Sequence, residues 1–110
     1  MNPETLSALG EPNRLRIVEL LRAGPLPVND IRGRLALRQS QASQHLKVLK
    51  DAGLVEMQAR AQQRFYSLRA QPLKQLHQWL DGYRALWEER FDRLDVVIEE
   101  IQQEEQSDGK

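Results

Sequence analysis

Cysteine is absent from the sequence, which removes a disulfide framework, a thiolate metal site and a cysteine nucleophile at once. Histidine occurs only twice, at His45 and His77, too far apart in the chain to suggest a shared centre. There is no Gly-rich phosphate loop and no Gly-x-Ser-x-Gly turn, so two common routes to catalysis are closed. Carboxylates are abundant only toward the C-terminus, where a solvated helix face is the ordinary reading. These gaps argue against an enzyme. Long apolar runs are missing too, so no segment is expected to span a bilayer. No basic stretch followed by an apolar one opens the chain, so no secretory leader is expected, and a bacterial, cytoplasmic protein is the default reading.

What is present fits one ordinary domain. The chain has 110 residues, 40% apolar and 29% charged, a balance that excludes collagen-like and fully disordered classes. The net charge of zero conceals an asymmetry. Residues 1–80 carry 12 Lys/Arg and 6 Asp/Glu, a balance of +6, whereas residues 81–110 carry 4 and 10, a balance of −6. A basic body suggests a polyanionic partner for that part alone, unless the acidic end serves only to neutralise it.

Helix punctuation organises the first half. Asn2-Pro3-Glu4 reads as cap, first position and early carboxylate of a short helix bearing Leu6 and Leu9. Glu11-Pro12 starts a second helix, about 12–23, with Leu15, Val18 and Leu21 expected on one face and Gly24-Pro25 beyond its end. Pro27 opens a third with Val28, Ile31 and Leu35 inward. After the turn Ala36-Leu37-Arg38, a fourth runs over about 39–52 with Ala42, Leu46 and Leu49 inward and Gly53 as its stop. Two amphipathic rods joined by a tight turn match a helix-turn-helix, though small helical bundles share the pattern.

Two β-prone runs follow, Leu54–Met57 and Arg64–Leu68, separated by the polar stretch Gln58–Gln63. A hairpin directly after the second helix of a helix-turn-helix is a wing. Its tip lacks the Gly or Asn of a tight turn, so a loop of four or more residues is expected. From Pro72 a helical period returns: Leu73, Leu76, Leu80, Tyr83, Trp87, Phe91, Leu94, Ile98 and Ile101, widened by Trp79, Leu86 and Val97. A helix of about 30 residues would be about 45 Å long at 1.5 Å per residue, more than the preceding body can cover. A second copy of the chain is the simplest cover, and folding back on the same body is the alternative. The fold class expected is mainly α with a small β-hairpin, a winged helix-turn-helix over 1–71 with a C-terminal dimerisation helix over 72–103. Residues 104–110 read as a frayed tail.

Three stretches, Leu9-Gly10-Glu11-Pro12-Asn13-Arg14-Leu15-Arg16-Ile17, Ser43-Gln44-His45-Leu46-Lys47-Val48-Leu49 and Ala52-Gly53-Leu54-Val55, resemble the ArsR family of bacterial winged-helix repressors. The wing's Arg64-Phe65-Tyr66-Ser67-Leu68 fits the same pattern, and the likeness covers about residues 5–69. It implies a symmetric dimer joined through the first and last helices, with Leu6, Leu9, Leu76, Trp79, Leu80, Tyr83, Trp87, Phe91, Leu94 and Ile98 at the interface. It also implies a fourth helix in the major groove of double-stranded DNA, presenting Gln39, Ser40, Gln41, Ser43 and Gln44. Amides suit that role because Gln pairs in bidentate fashion with adenine. Lys47, Arg60 and Arg64 would meet phosphates, fixing register without reading sequence. Arg38 stands where many relatives have a capping Ser, exchanging a cap for a cation near the DNA, and completes the set of residues the resemblance assigns to DNA binding.

The resemblance departs from the family's metal sensors. Where those place two Cys at the start of the third helix, this chain has Pro27 and Asn29; Pro offers no ligand and Asn a poor one. His77 and Asp81 share a helix face, but a pair falls short of the four ligands zinc takes. No cofactor or metal is expected, and the chain resembles a metal-independent branch with an aromatic-rich final helix. His45 reads as a positioning residue of the fourth helix, Arg14 as a hydrogen-bonding anchor, and Phe65 and Tyr66 as wing packing. Trp79, Tyr83 and Trp87 fill a dimer core or line an effector groove for an unknown small molecule or protein. A winged helix that binds protein, or a metal sensor with a non-cysteine site, remain the alternatives to a repressor.

Overall fold

Asn2 opens the first helix through its side chain, Oδ1 accepting from the Glu4 N–H at 3.0 Å. In the computed structural model, which describes residues 1–108 apart from the side chains of 91, 92 and 106–108, helix α1 spans Pro3–Leu9 and α2 spans Pro12–Leu21. Glu11 caps α2, its Oε2 accepting from Arg14 N–H at 2.9 Å. Arg14 then ties the two helices together: Nε donates to the Ala8 carbonyl at 2.7 Å and a terminal nitrogen to the Ser7 carbonyl at 3.3 Å. The anchor role expected of Arg14 is what these bonds provide.

That anchor also corrects the expected inward face. With Arg14 turned toward α1, the residues one turn and two turns on go inward, so α2 buries Ile17, Val18 and Leu21 while Leu15 is 43% exposed. Helix α1 buries Thr5 and Ala8, and Leu6, assigned to the dimer interface rather than the core, is 41% exposed.

Strand β1 (Leu26–Pro27), which the sequence reading lacks, leads into α3 (Val28–Leu35). It pairs antiparallel with a later strand, Leu26 opposite Tyr66 and Pro27 opposite Phe65. Two residues, one of them a proline without an N–H, carry too little periodicity to be read as a strand, and the sheet edge is where such a strand is tolerated. Helix α3 ends at Ala36 in the left-handed region, φ 54°, a conformation that reverses the chain within the turn expected at Ala36-Leu37-Arg38. Helix α4 (Gln39–Asp51) buries Ala42, Leu46 and Leu49 and is followed by Gly53 at φ +77°, where glycine relieves the Cβ clash.

The wing is tighter than expected. Strands β2 (Val55–Arg60) and β3 (Gln63–Leu68) pair antiparallel up to Arg60 opposite Gln63, leaving only Ala61-Gln62 as the turn. Ala61 supplies the positive φ, 55°, that a two-residue hairpin demands and that glycine would adopt more readily. The ladder extends three residues further along Gln58–Arg60 than composition suggested, because strand pairing overrides weak local propensity. The sheet order is β1-β3-β2.

A core of Ile17, Ile31, Leu46, Leu49 and Leu54 at 0–1% exposure, with Val55 at 1%, holds these elements together. Leu26, Tyr66, Leu68 and Leu73 pack against it from the sheet and the start of the next helix. The C-terminal helix is interrupted rather than continuous. Helix α5 covers Ala70–Asp81 and α6 covers Arg84–Asp108. At the junction Gly82 N–H bonds to the carbonyls of Gln78 and Trp79 at 3.3 and 3.2 Å, and Tyr83 N–H to that of Leu80 at 3.0 Å. The shift to three-residue bonds follows from glycine's low helix propensity. Helix α6 continues past residue 103, through much of the stretch expected to fray, and residues 109–110 of that stretch lie outside the described residues. Two compact units result, Met1–Leu76 and a second beginning at His77. Among the described residues no helix is long and apolar enough to cross a membrane.

Candidate nucleic-acid interface

The buried triplet Ala42, Leu46 and Leu49 fixes which side of α4 faces out. At 3.6 residues per turn the opposite side carries Gln39, Ser40, Ser43, Gln44 and Lys47, all exposed, as is Gln41 beside them. Arg38 at the helix entrance and Arg60 and Arg64 on the wing are exposed as well. All nine residues that the resemblance assigns to DNA are therefore on the surface of one unit.

A groove of about 350 Å³ separates α4 from the wing and draws three of the nine together: Gln39 and Ser43 on one wall, Arg64 on the other. Its lining also includes Asn29 and Arg32 from α3 and Gln62 and Gln63 from the wing tip, residues that sequence reasoning did not assign to DNA. The signal for them was the hydrophilic side of α3, which reads as ordinary solvated surface until the sheet brings the wing beside it. The remaining six of the nine lie outside this groove.

Electrostatics favour an anion here. Among the described residues no carboxylate lies within 4.0 Å of Arg32, Arg38, Lys47, Arg60 or Arg64; the Arg or Lys ion pairs formed are those of Arg84 with Asp81 and Glu88, and the His45 imidazole lies 3.7 Å from Glu11. Arg60 stands over the Phe65 ring at 6.0 Å, a cation–π contact that steadies its stem and leaves its charge available.

Gln41 has a second task. Its Oε1 accepts from the Arg38 N–H at 3.0 Å, the returning half of a capping box. Arg38 cannot complete the box, because a guanidinium has no acceptor. The cap forfeited by having Arg at position 38 is thus partly restored from position 41. His45 is half-buried, its Nδ1 3.7 Å from Glu11 Oε2 and without a hydrogen-bond partner. It faces α2 rather than solvent, in keeping with a positioning role.

The candidate dimer residues show a different environment. Trp79, Leu80, Tyr83, Trp87, Leu94 and Ile98 are 40–54% exposed, and Leu6 is exposed on α1. Leu9 and Leu76 are half-buried, Leu9 packing partly against the core. The Phe91 side chain lies outside the described residues. Trp79 and Tyr83 already form an edge-to-face pair, rings 5.2 Å apart at 68°. Among the described residues no group of three or more His, Asp or Glu side chains is placed to hold a metal ion.

A helix-turn-helix domain model matches residues 9–58. The chain is 41% identical over 81 residues to the HTH-type transcriptional regulator Rv2034 of Mycobacterium tuberculosis, covering 72% of this chain and 76% of that protein. Among solved structures it is similar to a possible transcriptional regulator for arsenical resistance, with TM-score 0.67 and 38% identity, covering 73% and 83% of the two chains. It is also similar to a homodimeric winged helix-turn-helix DNA-binding domain from Mycobacterium bovis, a possible ArsR-family regulator, with TM-score 0.62 and 27% identity over 76% and 80%. The match spans 42, 54 and 64% of the length of three other curated regulators, about half. On its motifs, its winged fold and these likenesses, the chain belongs to the ArsR family of helix-turn-helix transcriptional regulators.

Proposed function

We propose that the protein is a homodimeric, sequence-specific DNA-binding repressor and not an enzyme, acting in the bacterial cytoplasm. Each α4 enters the major groove of one half of a near-palindromic operator, with half-sites about one helical turn apart. Gln39, Ser40, Gln41, Ser43 and Gln44 face the bases, while Arg38, Lys47, Arg60 and Arg64 meet the backbone. Repression follows from occupying promoter DNA. The observation that carries this reading is a surface of amides and hydroxyls ringed by cations that no carboxylate within 4.0 Å neutralises among the described residues. A module that bound only protein would have no need of that surplus.

The dimer rests on α5 and α6, whose apolar side chains Trp79, Leu80, Leu86, Trp87, Leu94 and Ile98 are 40–54% exposed. A second copy covers them most simply, and a dimer matches the two-fold symmetry of a palindrome.

The test is fluorescence anisotropy with the DNA upstream of the protein's own gene, across a salt series, with random duplex as competitor and with chelator added. Tight, competitor-resistant, salt-sensitive binding that chelator leaves unchanged is expected. Binding no better than random DNA would defeat the operator assignment, and loss with chelator would restore the metal-sensor alternative.

A further inference from the structure

The groove between α4 and the wing has a function that neither element provides alone. A protein that places one helix in the major groove and a wing beside it must let a sugar–phosphate strand pass between the two, because that strand is what separates adjacent grooves of the duplex. Between the two walls the passage is lined by the polar side of α3, through Asn29 and Arg32, together with Pro27 of β1 and Tyr66 of β3. Arg32 is poorly committed within the protein. Its Nε is buried without a hydrogen-bond partner, and one terminal nitrogen reaches only the Asn29 Oδ1 at 3.5 Å, the outer limit of such a bond. A guanidinium fork matches a phosphate in bidentate fashion, and Arg64 on the opposite wall adds positive charge.

We propose that Arg32 is a DNA-backbone ligand: the strand running between α4 and the wing seats a phosphate against its guanidinium. The assignment rests on the DNA-binding reading and adds to it a contact from outside both the recognition helix and the wing. Since a phosphate carries no base identity, Arg32 contributes affinity and register on every sequence alike.

Arg32→Gln, which keeps most of the stem and an amide donor toward Asn29, is compared with wild type on the upstream fragment and on a random duplex, between about 50 and 200 mM salt. The slope of log affinity against log salt is expected to fall by about 1 on both DNAs, and Arg32→Lys to restore it. Arg34→Ala, exposed on the same helix but outside the groove, should leave the slope unchanged. Single methylphosphonate substitutions along the upstream duplex should reveal one phosphate whose neutralisation weakens wild type and not Arg32→Gln. Circular dichroism melts confirm that the variants fold, and Arg32→Met, which also removes the charge, carries the comparison if Arg32→Gln does not fold. If the uncharged variant keeps the wild-type slope and shares the wild-type methylphosphonate profile, the Arg32 assignment falls while DNA binding stands. Should wild type itself show no salt-sensitive binding to either duplex, the DNA-binding reading fails first.

Discussion

The two units of the chain solve the burial of apolar side chains in opposite ways. In the first, Ile17, Ile31, Leu46, Leu49 and Leu54 sit at 0–1% exposure among the helices and the sheet. In the second, Leu86, Leu94, Val96, Val97, Ile98 and Ile101 are 47–54% exposed. Both regions carry apolar residues at helical spacing, so the sequence pattern is alike. What differs is whether the same unit offers a surface to close against. An apolar stripe left open along a helix marks a surface awaiting a partner, and the contrast separates residues that hold a fold from residues that await an assembly.

The largest effect is expected from breaking the second unit. Leu94→Glu places a charge on the open stripe and should convert dimers to monomers in analytical ultracentrifugation, with loss of operator binding, while the first unit keeps its helical signal. A variant that stayed dimeric would move the interface away from α6. Next in size is the converse experiment. Leu49→Ala empties a fully buried site and should lower stability by about 2–5 kcal/mol in denaturant melts. A loss under about 1 kcal/mol would mean that the core collapses around the gap, and the contrast between the units would weaken.

Gln41 sharpens the comparison within the first unit, because it serves the fold and faces outward at once. Gln41→Ala removes the acceptor for Arg38 N–H and should cost roughly 0.5–1 kcal/mol of stability, in the range of helix caps, with a further 1–3 kcal/mol lost on operator but not on random DNA. Gln41→Glu separates the roles: a carboxylate caps as well or better, so stability should hold while DNA binding falls. Equal losses on both DNAs for Gln41→Ala would leave it a capping residue alone.

How much of this was legible in the sequence follows from the range of the interactions involved. Caps and stops act within a few residues, and Asn2, Ala42-Leu46-Leu49 and Gly53 behave as their spacing implied. The inward face of α2 did not, since it is set by Arg14 bonding to carbonyls of Ala8 and Ser7 on another helix. Strand β1 was invisible because its pairing partner lies some 40 residues on, at Phe65 and Tyr66. The break at Gly82 was masked by an apolar period that runs through it unchanged, although glycine inside a helical pattern is itself a warning. In the candidate site, residues on α4 could be placed by periodicity alone. Arg32 and Gln63 could not, because the groove they share exists only once the sheet has brought the wing beside α3.

The smallest expected effect tests whether the first unit is as relaxed as its core suggests. Ala61 occupies a left-handed conformation at φ 55°, where its Cβ crowds the following carbonyl at a penalty of roughly 1–2 kcal/mol relative to glycine. The two-residue turn holds it there, since Arg60 and Gln63 are paired on either side. Ala61→Gly should therefore stabilise the wing, offset in part by the greater freedom of glycine in the unfolded chain. The net gain expected is below about 1 kcal/mol, read as slower amide exchange across β2 and β3. If exchange quickened instead, the alanine would be restricting the unfolded hairpin more than it strains the folded one. The wing would then owe its register to the Arg60–Phe65 stack and the pairing with β1 rather than to its turn.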